Sequence, residues 1–591
     1  MADHIEIAGM KVPLIDTVRP EDQTDMFPYV KQTRKTEVLP KGWQKASNKR
    51  PLPEAIVYDQ HIEIPMRDGV KIYADVLRPH DTKEKVPALL AISPYGNGGN
   101  GFKIYENTPF RVGVPEEKTS GLEKFESVDP AEWIPRGYAI VNADVRGSWE
   151  SEGHLYIEGS KPGIDGYDIC EFIAAQDWCN GSIGMQGNSW LATTQWTTAV
   201  QKPPSLKAIA PWEGFTDKYR EVCCRGGIPN VPFVSFIFNK TIRGRQKRED
   251  VARMLQTDPL MNPYWQDKNI DTTKITIPIY ALASYSSAIH GFGTVKSYNN
   301  AASTEKWLRI HPTQEWYDLY TPAATEDLQK FFDRYLKGIQ NGWEKMTPVR
   351  VSVLRFNQDP LINLPFSQYP PKDTEYRTLY LSDSSLSPSA PTKAGSISYQ
   401  SDDMLAPPAD FVHVFDRKTT LIGYAKATLW VSCASADDMD IYLSLRKADR
   451  DGKVLEQVNV PWEALPGGVR TTEAVPNSNV VKHFGPTGVL RLSHRAQDPV
   501  RSTPLIPFHP HDREEKVAPG SVTRVEIGFW PAGMQFESGE RLVLRAQGFL
   551  DQCREFPQHI SAKPDNLNKG RHVVHFGGEL DSKLVVPVVE V

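Results

Sequence analysis

The residues that most plainly suggest chemistry lie in Cys179-Asn180-Gly181-Ser182-Ile183-Gly184-Met185-Gln186-Gly187-Asn188-Ser189-Trp190-Leu191-Ala192. A short apolar run ends at Gly187, a turn presents Ser189, and a run of small residues with helical character follows. That order predicts a nucleophile elbow, in which a tight strand-to-helix turn holds a serine hydroxyl at a helix N-terminus. The N–H of Trp190 would then face a developing oxyanion. Leu191 stands where the second glycine of G-x-S-x-G belongs, so the short pattern alone favours a serine capping a helix, and the neighbouring segments are what favour the elbow.

Ser93-Pro94-Tyr95-Gly96 closes an earlier apolar run and leads into Asn97-Gly98-Gly99-Asn100-Gly101. Such a loop could bring a backbone N–H and the Tyr95 hydroxyl to an oxyanion, although Tyr95 is equally an ordinary turn aromatic. The loop lacks the Lys-Ser/Thr of a phosphate loop. Asp144 and Arg146 flank one turn and read as a structural ion pair.

Elements able to position these residues recur along the chain. Apolar runs at Ala88–Ser93, Ala139–Ala143, Ile183–Gln186, Lys207–Ala210, Ile277–Ala283 and Trp307–Ile310 alternate with helical segments at Asp165–Trp178, Trp190–Val200 and Thr325–Lys337. This alternation predicts a largely parallel sheet covered on both faces. Residues 1–55 read as an N-terminal arm and 56–350 as the α/β domain. An aromatic- and Arg/Lys-rich stretch at about 215–272 reads as a cap insertion. From 351 to 591 alternating strands with long Pro/Gly/Ser-rich connections predict a jelly-roll β-sandwich.

The whole resembles the CocE/NonD family, the cocaine esterase and X-prolyl dipeptidyl-peptidase group of α/β-hydrolases. The resemblance is carried by Pro65-Met66-Arg67-Asp68-Gly69-Val70, Asp144/Arg146-Gly147, Asp165-Gly166-Tyr167-Asp168, Gln176-Asp177-Trp178, Asn180-Gly181 and the elbow. It continues through Gly488-Val489-Leu490-Arg491 and Ser538-Gly539-Glu540-Arg541-Leu542. It implies an α/β-hydrolase domain with helical cap, a C-terminal jelly roll, and ester or amide hydrolysis through an acyl-serine. Ser189 would be the nucleophile, and Tyr95 with the Trp190 amide the oxyanion hole.

Two departures bear on the mechanism. The family's acid position, in a G-W-x-D-like turn, is Ser287 here, and its histidine position, in a G-P-W-x-H-like turn, is Glu315. One reading exchanges the roles between loops: His290 is the base and Glu315 orients it, since a triad is defined by geometry rather than chain order. His311 is a second candidate base, with Glu315 or Asp318 as partner, and a lone packing histidine is the competing reading of either. A second reading keeps the pocket for proton-transfer, lyase, cyclisation or isomerase chemistry without an acyl-enzyme. A third is a silent ligand-binding protein. The Asn-Ser-Trp elbow and His-Pro-x-Gln-Glu-Trp turn look like a fungal branch of the family, which suits specialised metabolism. Trp212, Phe215, Tyr285 and His311 are the expected substrate contacts, with cap aromatics Phe233, Phe236 and Phe238 beside them.

Composition narrows the remaining classes. In 591 residues, 68 basic against 73 acidic side chains give a net charge of −5, with 40% hydrophobic residues and a pI near 6.3. A soluble globular protein is expected, acting on a small molecule rather than nucleic acid. Arg243, Arg245, Lys247 and Arg248 read as a solvated helix face. The first residues lack a basic and apolar leader, and no apolar run is long enough for a bilayer, so no membrane partner and a cytoplasmic location are expected. Six cysteines without C-x-x-C suggest neither disulfide scaffold nor zinc. His509-Pro510-His511-Asp512 reads as a solvated turn. No cofactor and no metal are expected, and a homo-oligomer is possible.

Overall fold

The computed structural model describes residues 3–22, 29, 31–99, 101–287, 289–356, 358–551, 553 and 565–591. Its centre is an eleven-stranded sheet. Lys35–Leu39, Ile56–Pro65 and Lys71–Pro79 form an antiparallel flank, and the last pairs antiparallel with Ala139–Asp144. Val86–Ser93, Cys179–Asn188, Leu206–Trp212, Ile279–Ser284, Lys306–His311 and Val349–Val353 then follow in parallel, beginning beside Ala139–Asp144. Val86–Ser93, Ala139–Asp144 and Ile279–Ser284 are buried at every position, as strands covered on both faces must be.

Alternate residues serve two cores. Leu90, Val141 and Met185 face one, while Leu89, Ile140, Ala208 and Leu282 face the other with Phe331 and Phe332. The helix Pro322–Leu336 covers the second face with its apolar stripe. Helices Ser160–Ala174 and Trp190–Val200 pack on each other so closely that a Cβ on Gly166 would lie 2.0 Å from Thr198 Oγ1.

The chain leaves Val86–Ser93, runs outward to Ala139–Asp144, and crosses back to Cys179–Asn188 on the other side. The strand order therefore reverses between Val86–Ser93 and Cys179–Asn188. Open α/β sheets bind ligands at the carboxyl ends of the strands flanking such a reversal. Tyr95 and Ser189 follow those two strands directly.

The arm is more ordered than its composition suggests. His4–Ile7 and Met10–Asp16 form a hairpin joined by Lys247–Glu249 of the cap, and Lys35–Leu39 is the sheet's edge strand. Short strands with few apolar positions escape a periodicity reading because one hairpin face suffices to anchor them. The α/β sheet likewise runs beyond 350, through Val349–Val353 to the antiparallel edge strand Leu361–Phe366.

The basic segment is not a solvated helix face. Lys247 and Arg248 lie in the short strand against the arm, and Arg243 and Arg248 are buried. Arg146 does form an ion pair, but with Asp165 at 2.6 Å and Asp68 at 3.0 Å, whereas Asp144 takes Lys124 at 3.1 Å. The cap is mainly helical, with Val231–Lys240, Val251–Thr257 and Pro263–Asp267.

Beyond Phe366 the chain is an antiparallel β-sandwich. Gly395–Gln400, Arg571–Phe576, Lys426–Cys433 and Thr523–Gly528 pair in succession. Ala409–Val414, Arg541–Gln547, Asp440–Ala448 and Thr487–Arg491 form another such run. Leu429, Ile441, Leu443, Leu544 and Val586 are among its buried residues. The sandwich meets the α/β domain where the Tyr285 ring lies on Gly533, whose missing Cβ would fall 1.9 Å from the ring. All six cysteines are buried and unbridged. Among the described residues no helix is long and apolar enough to cross a membrane.

Candidate active site

Ser189 sits between the strand Cys179–Asn188 and the helix Trp190–Val200 with φ 56° and ψ −115°. L-residues rarely adopt that conformation, and strain of this kind persists only where the surroundings impose it. Here the Ser189 N–H donates to the carbonyls of Trp212 and Glu213, both at 3.1 Å, and the Asn188 N–H donates to Glu126 O at 3.0 Å. Gly187 completes the turn at φ 115°, and a Cβ there would meet Leu191 Cδ2 at 2.5 Å and Glu126 O at 3.0 Å. Gly187→Ala is expected to cost about 2 kcal/mol, read as a lower urea midpoint, and to displace the serine.

The Ser189 side chain is half-buried and hydrogen-bonded with the Tyr95 hydroxyl. The Tyr95 ring is held edge-on by Phe125 at 5.3 Å and Trp190 at 6.4 Å. Burial, with Glu126 and Glu158 near, pushes this phenol well above its ordinary pKa, so it is a donor at all working pH values. Trp190 opens the helix, and first-turn N–H groups have no intrahelical acceptor. The Trp190 indole is buried against Phe238.

His290 is buried, its ring stacked on Phe215 at 6.1 Å and 9°. Its Nδ1 lies 3.2 Å from Ser287 Oγ, which also accepts the His290 N–H. The serine at the family's acid position thus holds the imidazole. Burial, with the Lys218 ammonium second, lowers the His290 pKa to about 3, so the ring is neutral at pH 7. Lys218 itself lies over the Phe215 ring at 4.6 Å and pairs with Glu158 at 3.2 Å.

Around His290 the structure gathers more carboxyl groups than the sequence suggested. One ligand-type atom each from Glu213, His290 and Glu315 falls within 4.8 Å of the others. Glu315, half-buried at the start of the helix Glu315–Leu319, has its pKa raised to about 8 by burial and then by Glu213. Glu126, at φ 67°, accepts from Trp316 Nε1 at 3.1 Å, and burial raises its pKa well above the ordinary range. His311 is fully buried with Nε2 2.8 Å from Glu213 Oε1, so its carboxylate partner is Glu213. Asp318 is 3.8 Å away and is engaged by Arg309.

The expected contacts fare differently. Trp212 is fully buried in the second core with Ala208, Tyr280 and Phe331, so it cannot touch substrate; its strand ends one residue before the site and its side chain points to the opposite face. Phe215 supports His290 from beneath. Tyr285, Ser287, Ile289, Phe233, His483 and Trp530 line a cavity among cap, sheet end and sandwich. Phe238 is core and Phe236 is exposed. His511 is buried rather than in a solvated turn, because the cap's Tyr219 packs on its ring at 5.7 Å. Asn100 of the glycine-rich loop lies outside the described residues.

Glu213 and Glu126 were missed from sequence. Glu213 carried a usable signal, since it directly follows a parallel strand at the sheet edge that holds Ser189. Glu126 carried none, lying in an irregular segment with no element before it.

Sheet order, elbow, cap and sandwich together define an α/β-hydrolase. Residues 68–316 match the model of the X-Pro dipeptidyl-peptidase (S15 family), and residues 341–585 that of the X-Pro dipeptidyl-peptidase C-terminal non-catalytic domain. A CocE/NonD family hydrolase from Staphylococcus aureus superposes with a TM-score of 0.81 at 30% identity, covering 91% of this chain and 94% of that one. The chain belongs to the CocE/NonD family of hydrolases. It is also 34% identical over 160 residues to the cocaine esterase of Rhodococcus sp., covering 27% of this chain and 24% of that protein. Over 364 residues it is 22% identical to the Xaa-Pro dipeptidyl-peptidase of Lactiplantibacillus plantarum, covering 48% of this chain and 44% of that protein. These matches span less than half of either curated relative.

Proposed function

We propose that the protein is a serine hydrolase that cleaves an ester or amide of a small organic molecule through an acyl-Ser189 intermediate, in a specialised metabolic role. The observation that carries this reading is the strained Ser189, its hydroxyl bonded to Tyr95 at the carboxyl end of the sheet.

Ser189 Oγ attacks the carbonyl while neutral His290 takes its proton. Glu315 lies close to Glu213, and burial with that second carboxyl beside it raises the Glu315 pKa to about 8, so Glu315 carries a proton at neutral pH. These carboxyl groups lie close enough to hold the imidazolium formed on His290. Tyr95 and the Trp190 N–H donate to the tetrahedral oxyanion, and the imidazolium returns its proton to the leaving group. The cavity beside Ser287 takes the bulk of the substrate, with Tyr285 and Trp530 supplying aromatic walls.

A fluorophosphonate probe is expected to label Ser189, and mass spectrometry of the labelled peptide checks it; an unlabelled, active protein overturns the reading. Tyr95→Phe removes one oxyanion donor while keeping the ring contacts. It is expected to lower kcat about 10²-fold with KM little changed, measured on any ester the wild-type protein turns over.

The carboxyl pair favours a second reading, proton-transfer chemistry as a cyclase, lyase or isomerase. It predicts product of unchanged mass. Incorporation of oxygen-18 from labelled water into product separates the two in favour of hydrolysis.

A further inference from the structure

We infer that Glu213, His290 and Glu315 form a binding site for a divalent transition-metal cation of the Zn²⁺ type, and that its occupancy blocks acylation of Ser189. The second half of this inference rests on the serine-hydrolase reading; the first does not.

The three side chains come from three loops at one sheet end: after Leu206–Trp212, after Ile279–Ser284, and after Lys306–His311. No spacing in the sequence announces them as ligands. Their ligand-type atoms lie within 4.8 Å of one another. Ligand atoms on one tetrahedral zinc ion stand about 3.4 Å apart, given bonds of roughly 2.0–2.2 Å to nitrogen and carboxylate oxygen. Small rotations of two glutamate side chains cover the difference, and Glu315 is only half-buried.

An independent sign of an unmet partner comes from Glu213. It is fully buried, and neither of its carboxylate oxygens has a hydrogen-bond donor among the described residues, although Oε1 lies 2.8 Å from His311 Nε2. A buried carboxylate oxygen without a donor is costly unless a cation or proton meets it. The donor set, one imidazole and two carboxylates, suits Zn²⁺ and its neighbours and disfavours Mg²⁺ and Ca²⁺, which take oxygen ligands. His311 Nε2 lies 2.8 Å from Glu213 Oε1, where outer partners of metal ligands stand. A three-residue set leaves a fourth position for water or a ligand group.

Occupancy has a direct chemical consequence. The His290 nitrogen that bonds the ion has no lone pair left to accept the Ser189 proton, so nucleophilic attack stops.

The test uses the full chain, stripped of metal by a chelator and titrated with Zn²⁺ alone in a calorimeter. One Zn²⁺ per chain is expected at this site. Glu315→Gln, the part-exposed ligand, should weaken it at least tenfold, and Glu213→Gln likewise, with thermal unfolding confirming that each variant is folded. Ser189→Ala should bind as wild type. Unchanged Zn²⁺ binding in folded Glu315→Gln, or none in the wild-type chain, overturns the site. In parallel, stoichiometric Zn²⁺ should suppress fluorophosphonate labelling of Ser189 at least tenfold, with EDTA restoring it. Labelling that persists with Zn²⁺ bound overturns the blocking step. A chain that binds Zn²⁺ but never labels refutes the serine-hydrolase reading and leaves the metal site standing.

Discussion

Ser189→Ala is expected to lose at least about 10⁴-fold in kcat, with fluorophosphonate labelling abolished and substrate binding retained. The size follows from what remains. Tyr95 and the Trp190 N–H still polarise the carbonyl, but no atom of the chain attacks it, and water must enter a site shaped for a tethered oxygen. Ser189→Gly should lose activity to the same degree and do something alanine does not. At φ 56° and ψ −115° any Cβ is strained, and glycine alone releases that strain. The Gly variant is therefore expected to exceed the wild type in stability by about 1 kcal/mol, read from urea midpoints at unchanged m. An Ala variant should not. If both variants match the wild type in stability, the elbow is not strained in solution and its geometry is not an argument for function.

The fold was largely legible because its signals are local and repeated. Fully apolar strands such as Val86–Ser93 and Ile279–Ser284, separated by helices, admit few arrangements other than a covered parallel sheet. The elbow was legible because Gly187 meets a steric demand of the tight turn that can be stated without knowing the neighbours. Its environment was not. His290 and Glu315 could be paired from their loops, but Glu213 joins them only because the ends of three strands converge, and nothing in the spacing from 213 to 315 records that. Trp212 shows the converse: an aromatic next to the site in sequence points to the opposite face of the sheet, since side chains alternate along a strand. The arm escaped for a third reason, since Met10–Asp16 and Lys35–Leu39 are fixed by strand pairing with distant segments rather than by a pattern of their own.

Lowering the pH from 6.5 to 4 is expected to destabilise the protein severely, through histidines that take no part in the chemistry. His572 is fully buried in the sandwich, and burial lowers its pKa from 6.5 to about 4. His494, equally enclosed, is lowered to about 4 by burial and then by Arg491, while Asp438 opposes this. Its Nδ1 faces His511 Nδ1 at 3.0 Å, with Glu514 3.9 Å from its Nε2 and His509 near. One ring must donate and the other accept, so doubly protonated rings would aim two N–H groups at each other. Unfolded histidines take up protons from about pH 6.5, whereas these folded ones do so only near 4. The stabilisation is therefore complete above 6.5 and is lost as the pH falls toward 4. Each of His494 and His572 contributes up to about 3 kcal/mol to that loss, and together they approach the whole stability of a typical domain. The cap shares in it, because Arg220 Nε and Nη2 bond the carbonyls of His509 and Pro510, and the Met261 N–H bonds His511 O. Urea unfolding at pH 7 and pH 5 should show the decline, and His572→Gln, which cannot take up the proton, should make it shallower. Equal slopes in wild type and variant would mean that His572 is already protonated or exposed in the folded chain.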